Sequence, residues 1–297
     1  MINAIIITYN PDLNILKKNI LTLSTSKKIN EIIIIDNSDN ADNSIEFSKI
    51  NNTTNRVKFF ILKENKGIAF AQNIGLKYSV KSGLEYAILF DQDSFISSDL
   101  INLLLIGIKE CNELNIKIAA VGPRPYDILE KRKSKSIIQK ENIINKNITV
   151  CSQIIASGKL INLSCLNTVG LMDEDLFIDG VDHEWCWRAK RKGYNVAIIE
   201  NAIMQHTLGD SRGNFLGLTY KIGAPVRLYY QFRNIIILSR RNYVPSYWKM
   251  RNLLGMIFRF IIFSCSTNEK KTRRKYMIKG LIDGLKNKKG SVKNSNK

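Results

Sequence analysis

Histidine is almost missing from this 297-residue chain, which has only His183 and His206. A metal site would therefore have to rely mainly on carboxylates, and a hard cation such as Mg2+ or Mn2+ is the matching choice. The five cysteines (Cys111, Cys151, Cys165, Cys186 and Cys265) are odd in number, widely spaced and never C-x-x-C. That argues against a zinc finger and a disulfide framework, and fits a reducing cytosol. No apolar run reaches the roughly 18 residues a membrane span needs. The opening Met1-Ile-Asn-Ala lacks a basic n-region, so export through a signal peptide is not expected. There is no G-x-G-x-x-G and no G-x-x-x-x-G-K-[ST], so neither a dinucleotide fingerprint nor a P-loop is present.

Acidic residues are scarce as well: 26 Asp and Glu stand against 45 Lys and Arg, a net charge of +19. Most of the excess is local, because residues 240–297 hold 16 basic and 2 acidic side chains. The body is only mildly basic. A strongly basic end suits a nucleic acid or an anionic membrane as partner. No nucleic-acid motif is present and the charge avoids the crevice described below, so nucleic acid is not the expected partner.

Two periodicities alternate through the first hundred residues. Asn3–Thr8, Glu31–Ile35, Val57–Leu62 and Tyr86–Phe90 are short β-branched or aromatic runs, the pattern of strands covered on both faces. Leu13, Leu16, Ile20 and Leu23 mark one helix face, and Ile68–Ser82 reads as a second helix. The expected fold is α/β, with a mostly parallel central sheet flanked by helices. Further strands are expected at Ile118–Gly122, Gln153–Ile161, Leu176–Ile178 and Val196–Ile199, and helices at Leu100–Cys111 and Asp182–Lys192. Lys131–Asn147 reads as a loop. After Pro225 the chain reads as helical to about Leu285, followed by a disordered tail. The expected division is a catalytic domain over residues 1–240, a basic helical region over 241–285 and a tail over 286–297. Within the catalytic domain, residues 1–95 would bind the nucleotide and residues 96–240 would supply the acceptor side and the base.

Each early strand ends in polar residues: Thr8-Tyr9-Asn10, Asp36-Asn37-Ser38, Asn65-Lys66-Gly67 and Asp91-Gln92-Asp93-Ser94. Ligands of such sheets lie beyond the carboxyl ends of the strands. One polar residue there is usually a turn former, but four on one edge fit a binding crevice better. Asp91 and Asp93 point to the same side of an extended backbone and can share a divalent cation with the phosphates of a nucleotide. Downstream, Asp182 lies near a helix N-terminus, where a carboxylate can act as general base. Glu184 and Arg188 are four apart and can simply pair. Trp185 and Trp187 read either as core or as a sugar-facing wall, and Ser157-Gly158 as an acceptor-side feature or a strand irregularity.

Taken together these segments resemble family 2 glycosyltransferases, in that family's order and across roughly residues 1–240. Phe90-Asp91-Gln92-Asp93-Ser94, Ile178-Asp179-Gly-Val-Asp182-His-Glu184-Trp185, His206-Thr-Leu-Gly209-Asp210 and Tyr229-Tyr230-Gln-Phe-Arg233-Asn234 are similar to the bacterial rhamnosyltransferase branch. One departure is Val181-Asp182, where many members have Glu-Asp. The resemblance implies a GT-A fold and an inverting, metal-dependent transfer. The donor would be dTDP-rhamnose, or alternatively a UDP-hexose or UDP-galactofuranose, and the acceptor a lipid-linked precursor of O-antigen or capsule. It implies that Thr8, Tyr9, Asn10 and Asp36 hold base and ribose and that Asn65, Gly67 and Asn73 shape the nucleotide pocket. Asp91 would lie near ribose and metal, Asp93 would be a direct ligand, and Asp182 the base. Arg233 would contact the diphosphate. For His206 a metal ligand and a structural residue remain alternatives. The basic C-terminal helices would rest on the cytoplasmic face of the inner membrane or meet a second subunit.

Overall fold

The isoleucine-rich opening strand explains the architecture. A computed structural model describes residues 1–39, 56–127, 132–133, 141–206, 211–215, 218–265 and 269–292. In β1 (Ile2–Thr8) all seven residues are buried. Ile5 and Ile7 join Ile33, Ile35 and Leu76 on one face of the sheet. Ile2, Ala4 and Ile6 join Leu16, Ile20 and Leu104 on the other. A two-sided core leaves no place for alternating polar residues, which is why the strand reads as a continuous apolar run. Each buried isoleucine contributes about 1.5–3 kcal/mol.

Around β1 run β2 (Ile29–Asp36), β3 (Val57–Ile61) and β4 (Tyr86–Asp91), in the order β3-β2-β1-β4 and all parallel. Helices α1 (Leu13–Thr25), α2 (Ile68–Lys81) and α3 (Leu100–Glu113) cover them. Asp12 caps α1 by accepting from the amides of Asn14 and Ile15. Past β4 the sheet turns mixed: β5 (Ile118–Asp127), β6 (Arg132–Lys133), β7 (Asn142–Ile143), β8 (Ile148–Cys151), β9 (Lys159–Asn162) and β10 (Asn195–His206) complete it. The expected parallel character thus holds for the first four strands and for β5 beside β10. Strand β9, antiparallel to both β4 and β5, joins the two halves. Strands β11 (Ser211–Phe215) and β12 (Leu218–Ile222) form a separate hairpin.

One turn of helix, α4 (Leu166–Val169), precedes α5 (Val181–Arg191). Then α6 (Pro225–Ser239), α7 (Ser246–Cys265) and α8 (Lys270–Leu285) pack on the body. Gly280 and Gly284 allow α8 to approach α6, since a Cβ at Gly280 would lie 2.4 Å from the Tyr229 carbonyl oxygen.

Three expectations need correction. Leu176–Ile178 is no strand: Glu174–Leu176 is a 3-10 turn followed by Phe177 at φ +64. Of Gln153–Ile161 only the end joins the sheet, as β9. The tail is not loose through residue 292, because Gly290 N donates to the Asp175 carbonyl and Val292 N to the Tyr230 hydroxyl. The expected loop at Lys131–Asn147 contains the short strands β6 and β7, while residues 131, 134–140 and 293–297 lie outside the described residues.

Candidate active site

Sheet register brings the polar strand ends together: Thr8 pairs with Asp36 across β1 and β2, and Ile7 with Asp91 across β1 and β4. Their side chains are stitched into one another. The Thr8 hydroxyl and the Ser38 hydroxyl both donate to Asp36 Oδ1, at 3.0 and 2.6 Å. Asn10 N donates to Ser38 Oγ, and Tyr9 N donates to Gln92 Oε1 at 2.7 Å. Asn37 donates to Asn65 Oδ1 and accepts from Lys66 N. Tyr9 OH and Asn65 N both donate to Asp39. Thr8 and Asp36 are buried, so Thr8 holds Asp36 and is not itself at the surface, while Tyr9 and Asn10 are exposed. Tyr9, Asp39 and Asn65 line a cavity of about 790 Å³ whose opposite wall is Tyr230 and the α8 lysines Lys271, Lys275 and Lys279. Gln92 and Asp39 are additions to the expected site residues. Both lie beside motif residues, the only signal the sequence holds for them.

Gly67 and Asn73 work differently from the expectation of a nucleotide pocket wall. Gly67, at φ +91, faces Phe177, whose carbonyl oxygen would be 2.7 Å from an added Cβ. Asn73 donates to the Met172 carbonyl and to Glu174, and accepts from Met172 N. Together they clamp the 172–178 segment that leads to Asp182. Arg233 is also corrected: it is fully buried, donating to the carbonyls of Asp175, Leu176 and Gly290 and to Asn234 Oδ1. With its donors engaged inside the protein it cannot reach a diphosphate. Asn234 extends the same clamp to the carbonyls of Leu176, Ile178 and Asp179.

Asp91 is half-buried and Asp93 exposed, in the turn after β4. Ser94 ties that turn to Ser157 through a 2.5 Å hydroxyl pair. Phe95 bridges Gln205, which places the end of β10, with His206, beside the Asp91-Gln92-Asp93 turn. The His206 side chain lies outside the described residues. Among the described residues no cluster of three or more His, Cys, Asp or Glu could hold a metal alone. Two carboxylates completed by phosphate oxygens are the usual way Mg2+ is held, so Asp91 and Asp93 fit a cation shared with a nucleotide.

Asp182 occupies the first turn of α5 after Phe177, Asp179 and Gly180, all at positive φ. Its side chain is 25% exposed and accepts from His183 N at 3.0 Å. Burial acts to raise its pKa, but His183, Lys159 and main-chain amides outweigh that and hold the carboxyl below the ordinary aspartate range. Burial lowers the His183 pKa, with Asp182 pulling the other way, so at neutral pH the imidazole is neutral and the carboxylate ionised. Lys159, fully buried and donating to the Asp182 carbonyl at 3.2 Å, is a further site residue that no sequence motif marks. Glu184 is buried and bonded to Arg188, Arg241 and Tyr243, which confirms its pairing role. Trp185 and Trp187 are both fully buried core residues, so neither forms a sugar wall.

A half-buried and an exposed carboxylate at the end of β4, with an ionised carboxylate at the start of α5, are groups that transfer from a nucleotide donor can use. Residues 4–159 match the family described as glycosyl transferase family 2. The dTDP-rhamnosyl transferase RfbF of Shigella flexneri is 35% identical over 296 residues, covering 96% of this chain and 95% of that protein. The chain belongs to glycosyltransferase family 2. The fold of this glycosyltransferase is also that of solved relatives at low identity. GalNAc-T7 with UDP, GalNAc and Mn2+ aligns at TM-score 0.60 and 14% identity, over 96% of this chain and 55% of that one. TarS of S. aureus with UDP-GlcNAc aligns at TM-score 0.57 and 14% identity, over 97% and 81%. The glycosyltransferase thus has a GT-A-type mixed α/β architecture that spans just over half of the GalNAc-T7 chain.

Proposed function

We propose that this glycosyltransferase moves L-rhamnose from dTDP-rhamnose to a lipid-linked precursor of a surface polysaccharide, inverting the anomeric centre. The observation that carries the donor is the end-to-end likeness to an enzyme named for dTDP-rhamnose. The ionised, partly exposed Asp182 carries the chemistry. It takes the proton of an acceptor hydroxyl while that oxygen bonds to the anomeric carbon and the bond to the dTDP oxygen breaks. Asp91 and Asp93 would hold Mg2+ or Mn2+, which when bound neutralises charge on the departing diphosphate. Tyr9 and Asn65 border the crevice for the base, and Asp36 is fixed by Thr8 and Ser38 beneath it.

The working place we propose is the cytoplasmic face of the inner membrane, with the protein resting on it. Support comes from α7, where Met250, Leu254, Ile257 and Phe258 are 57–65% exposed. Among the described residues no helix is long and apolar enough to cross a membrane. The deciding experiment compares hydrolysis and transfer with dTDP-rhamnose, UDP-glucose, UDP-galactose and UDP-galactofuranose, with and without chelator. Fastest turnover of dTDP-rhamnose, lost on chelation, supports the reading; a preferred UDP donor overturns the donor assignment.

A further inference from the structure

Helix α7 buries Trp248, Asn252, Met256 and Phe263 yet leaves a second apolar face uncovered. Its apolar residues Met250, Leu253, Leu254, Ile257, Phe258 and Ile261 are exposed, while the exposed Arg251, the buried Asn252 and the half-buried Arg259 line an open cavity. That cavity has a volume of about 480 Å³. Its walls include Arg227 and Arg273, and also Asp179, Gly180 and His183, which bracket Asp182. Of its charged lining groups four are arginines and one is a carboxylate, Asp179, which Arg227 already pairs at 2.9 Å. Arg273 donates to the Gly223 carbonyl and stacks over Phe263. Arg251 and Arg259 make no hydrogen bond or ion pair among the described residues.

Arg251 is exposed and Arg259 half-buried, so two guanidinium groups with no bonded partner among the described residues face one open cavity beside Asp179. Burial and then Arg251 lower the Arg259 pKa, with Asp179 pulling the other way. Guanidinium forks match phosphate oxygens, and the apolar outer face of the same helix matches a hydrocarbon chain. We infer that the Arg251–Arg259 cavity binds the phosphate or diphosphate through which the acceptor is attached to its lipid, holding the glycan toward Asp182. The inference rests on the reading above that the acceptor is lipid-linked. It adds a subsite distinct from the donor crevice at Tyr9 and Asn65, neither of which lines this cavity. With the head group held among the arginines, the lipid chain would leave along Leu254, Ile257 and Phe258 into the bilayer.

The test uses the full chain and farnesyl diphosphate as probe, with farnesol, inorganic diphosphate and phosphatidylglycerol vesicles for comparison. Titration should show farnesyl diphosphate bound more tightly than farnesol or inorganic diphosphate by about ten-fold or more. The double variant Arg251→Gln, Arg259→Gln should weaken that binding by about ten-fold or more. Its dTDP-rhamnose hydrolysis without acceptor should stay unchanged, and so should its thermal unfolding, since neither arginine bonds a neighbour. Lys17→Gln with Lys18→Gln, exposed on α1, serves as the charge control and should leave probe binding intact. Binding by the arginine variant within about two-fold of wild type overturns the inference, as does equal affinity for farnesol. Loss of phosphatidylglycerol binding without any farnesyl diphosphate binding also overturns it, and assigns the arginines to the bilayer surface. Failure of the parent reading looks different: the wild type would bind the probe yet not hydrolyse dTDP-rhamnose.

Discussion

The Lys159 side chain, fully buried at the start of β9, donates to the main-chain carbonyl of Asp182 at 3.2 Å. Strand β9 is the element that joins the two halves of the sheet, so a cation rooted in the sheet fixes the first turn of the helix that carries the base. Lys159 also lowers the Asp182 pKa, against the raising effect of burial. Replacing Lys159 with Met should therefore raise that pKa and move the acid limb of the kcat/KM profile to higher pH. The same shift has a stability counterpart with a definite sign. A carboxyl whose folded pKa is depressed stabilises the fold above its unfolded pKa and loses that contribution as pH falls through the folded value. Wild-type Tm should accordingly drop faster than that of Lys159→Met below the unfolded aspartate value of about 4. An unmoved pH–rate profile in the variant would separate Lys159 from the base.

Asp182→Asn keeps the shape of the side chain and its contact with His183 N but removes the proton acceptor. Turnover should fall by about two to four orders of magnitude while donor affinity persists. Near-normal turnover would move the role elsewhere. Glu184 is not the reserve candidate the sequence offers, because it is buried beneath Arg188, Arg241 and Tyr243.

Asp93, exposed at the end of β4, can leave without disturbing the core. Asp93→Ala should keep wild-type Tm and abolish transfer, and chelation of the wild type should do the same, with recovery on adding Mg2+ or Mn2+. Undiminished turnover in excess chelator would remove the metal from the mechanism.

Glu184 supports the fold. It answers two arginines at one buried point, and burial followed by its hydrogen bond pushes the Tyr243 pKa up to about 12. Glu184→Ala leaves Arg188 without its carboxylate while Arg241 keeps Asp173, which should cost about 3–5 kcal/mol of stability. Chemical denaturation measures this directly. A loss below about 1 kcal/mol would reduce the cluster to a surface-type ion pair.

Periodicity is enough to place β1 to β4 and their helices because each strand is buried on both faces and each helix on one. The Asp91, Asp93 and Asp182 positions are legible for a related reason, since acidic residues at strand and helix ends stand out against apolar runs. Arg233, Asn73 and Gly67 mislead because their partners are carbonyl oxygens or a backbone contact far away in the chain, and main-chain acceptors leave no mark on sequence spacing. Lys159 is invisible for the opposite reason: one basic residue within Ser157-Gly-Lys-Leu looks like a solvent-facing strand residue until β4 and α5 close over it.

The basic C-terminal helix divides into two faces that the sequence presents as one cluster. Lys271 and Lys275 line the donor crevice opposite Tyr9 and Asn65, and Arg273 is buried against Gly223. Lys270 and Arg274 stand exposed, four residues apart, ahead of the exposed Ile278 and Ile282. Charge reversal should therefore separate two functions. Lys270→Glu with Arg274→Glu should weaken binding to anionic vesicles, in a salt-sensitive way, and spare donor hydrolysis. Lys271→Glu with Lys275→Glu should instead raise the donor KM, since two negative charges would then face a nucleotide diphosphate. On α7, Ile257→Asp with Phe258→Asp should abolish vesicle binding even at low salt, because apolar insertion does not depend on screening. Co-sedimentation with phosphatidylglycerol vesicles at two salt concentrations, alongside steady-state hydrolysis, reads all three variants. If the α7 variant still sediments with vesicles, the exposed face of that helix is not what holds the protein to the membrane.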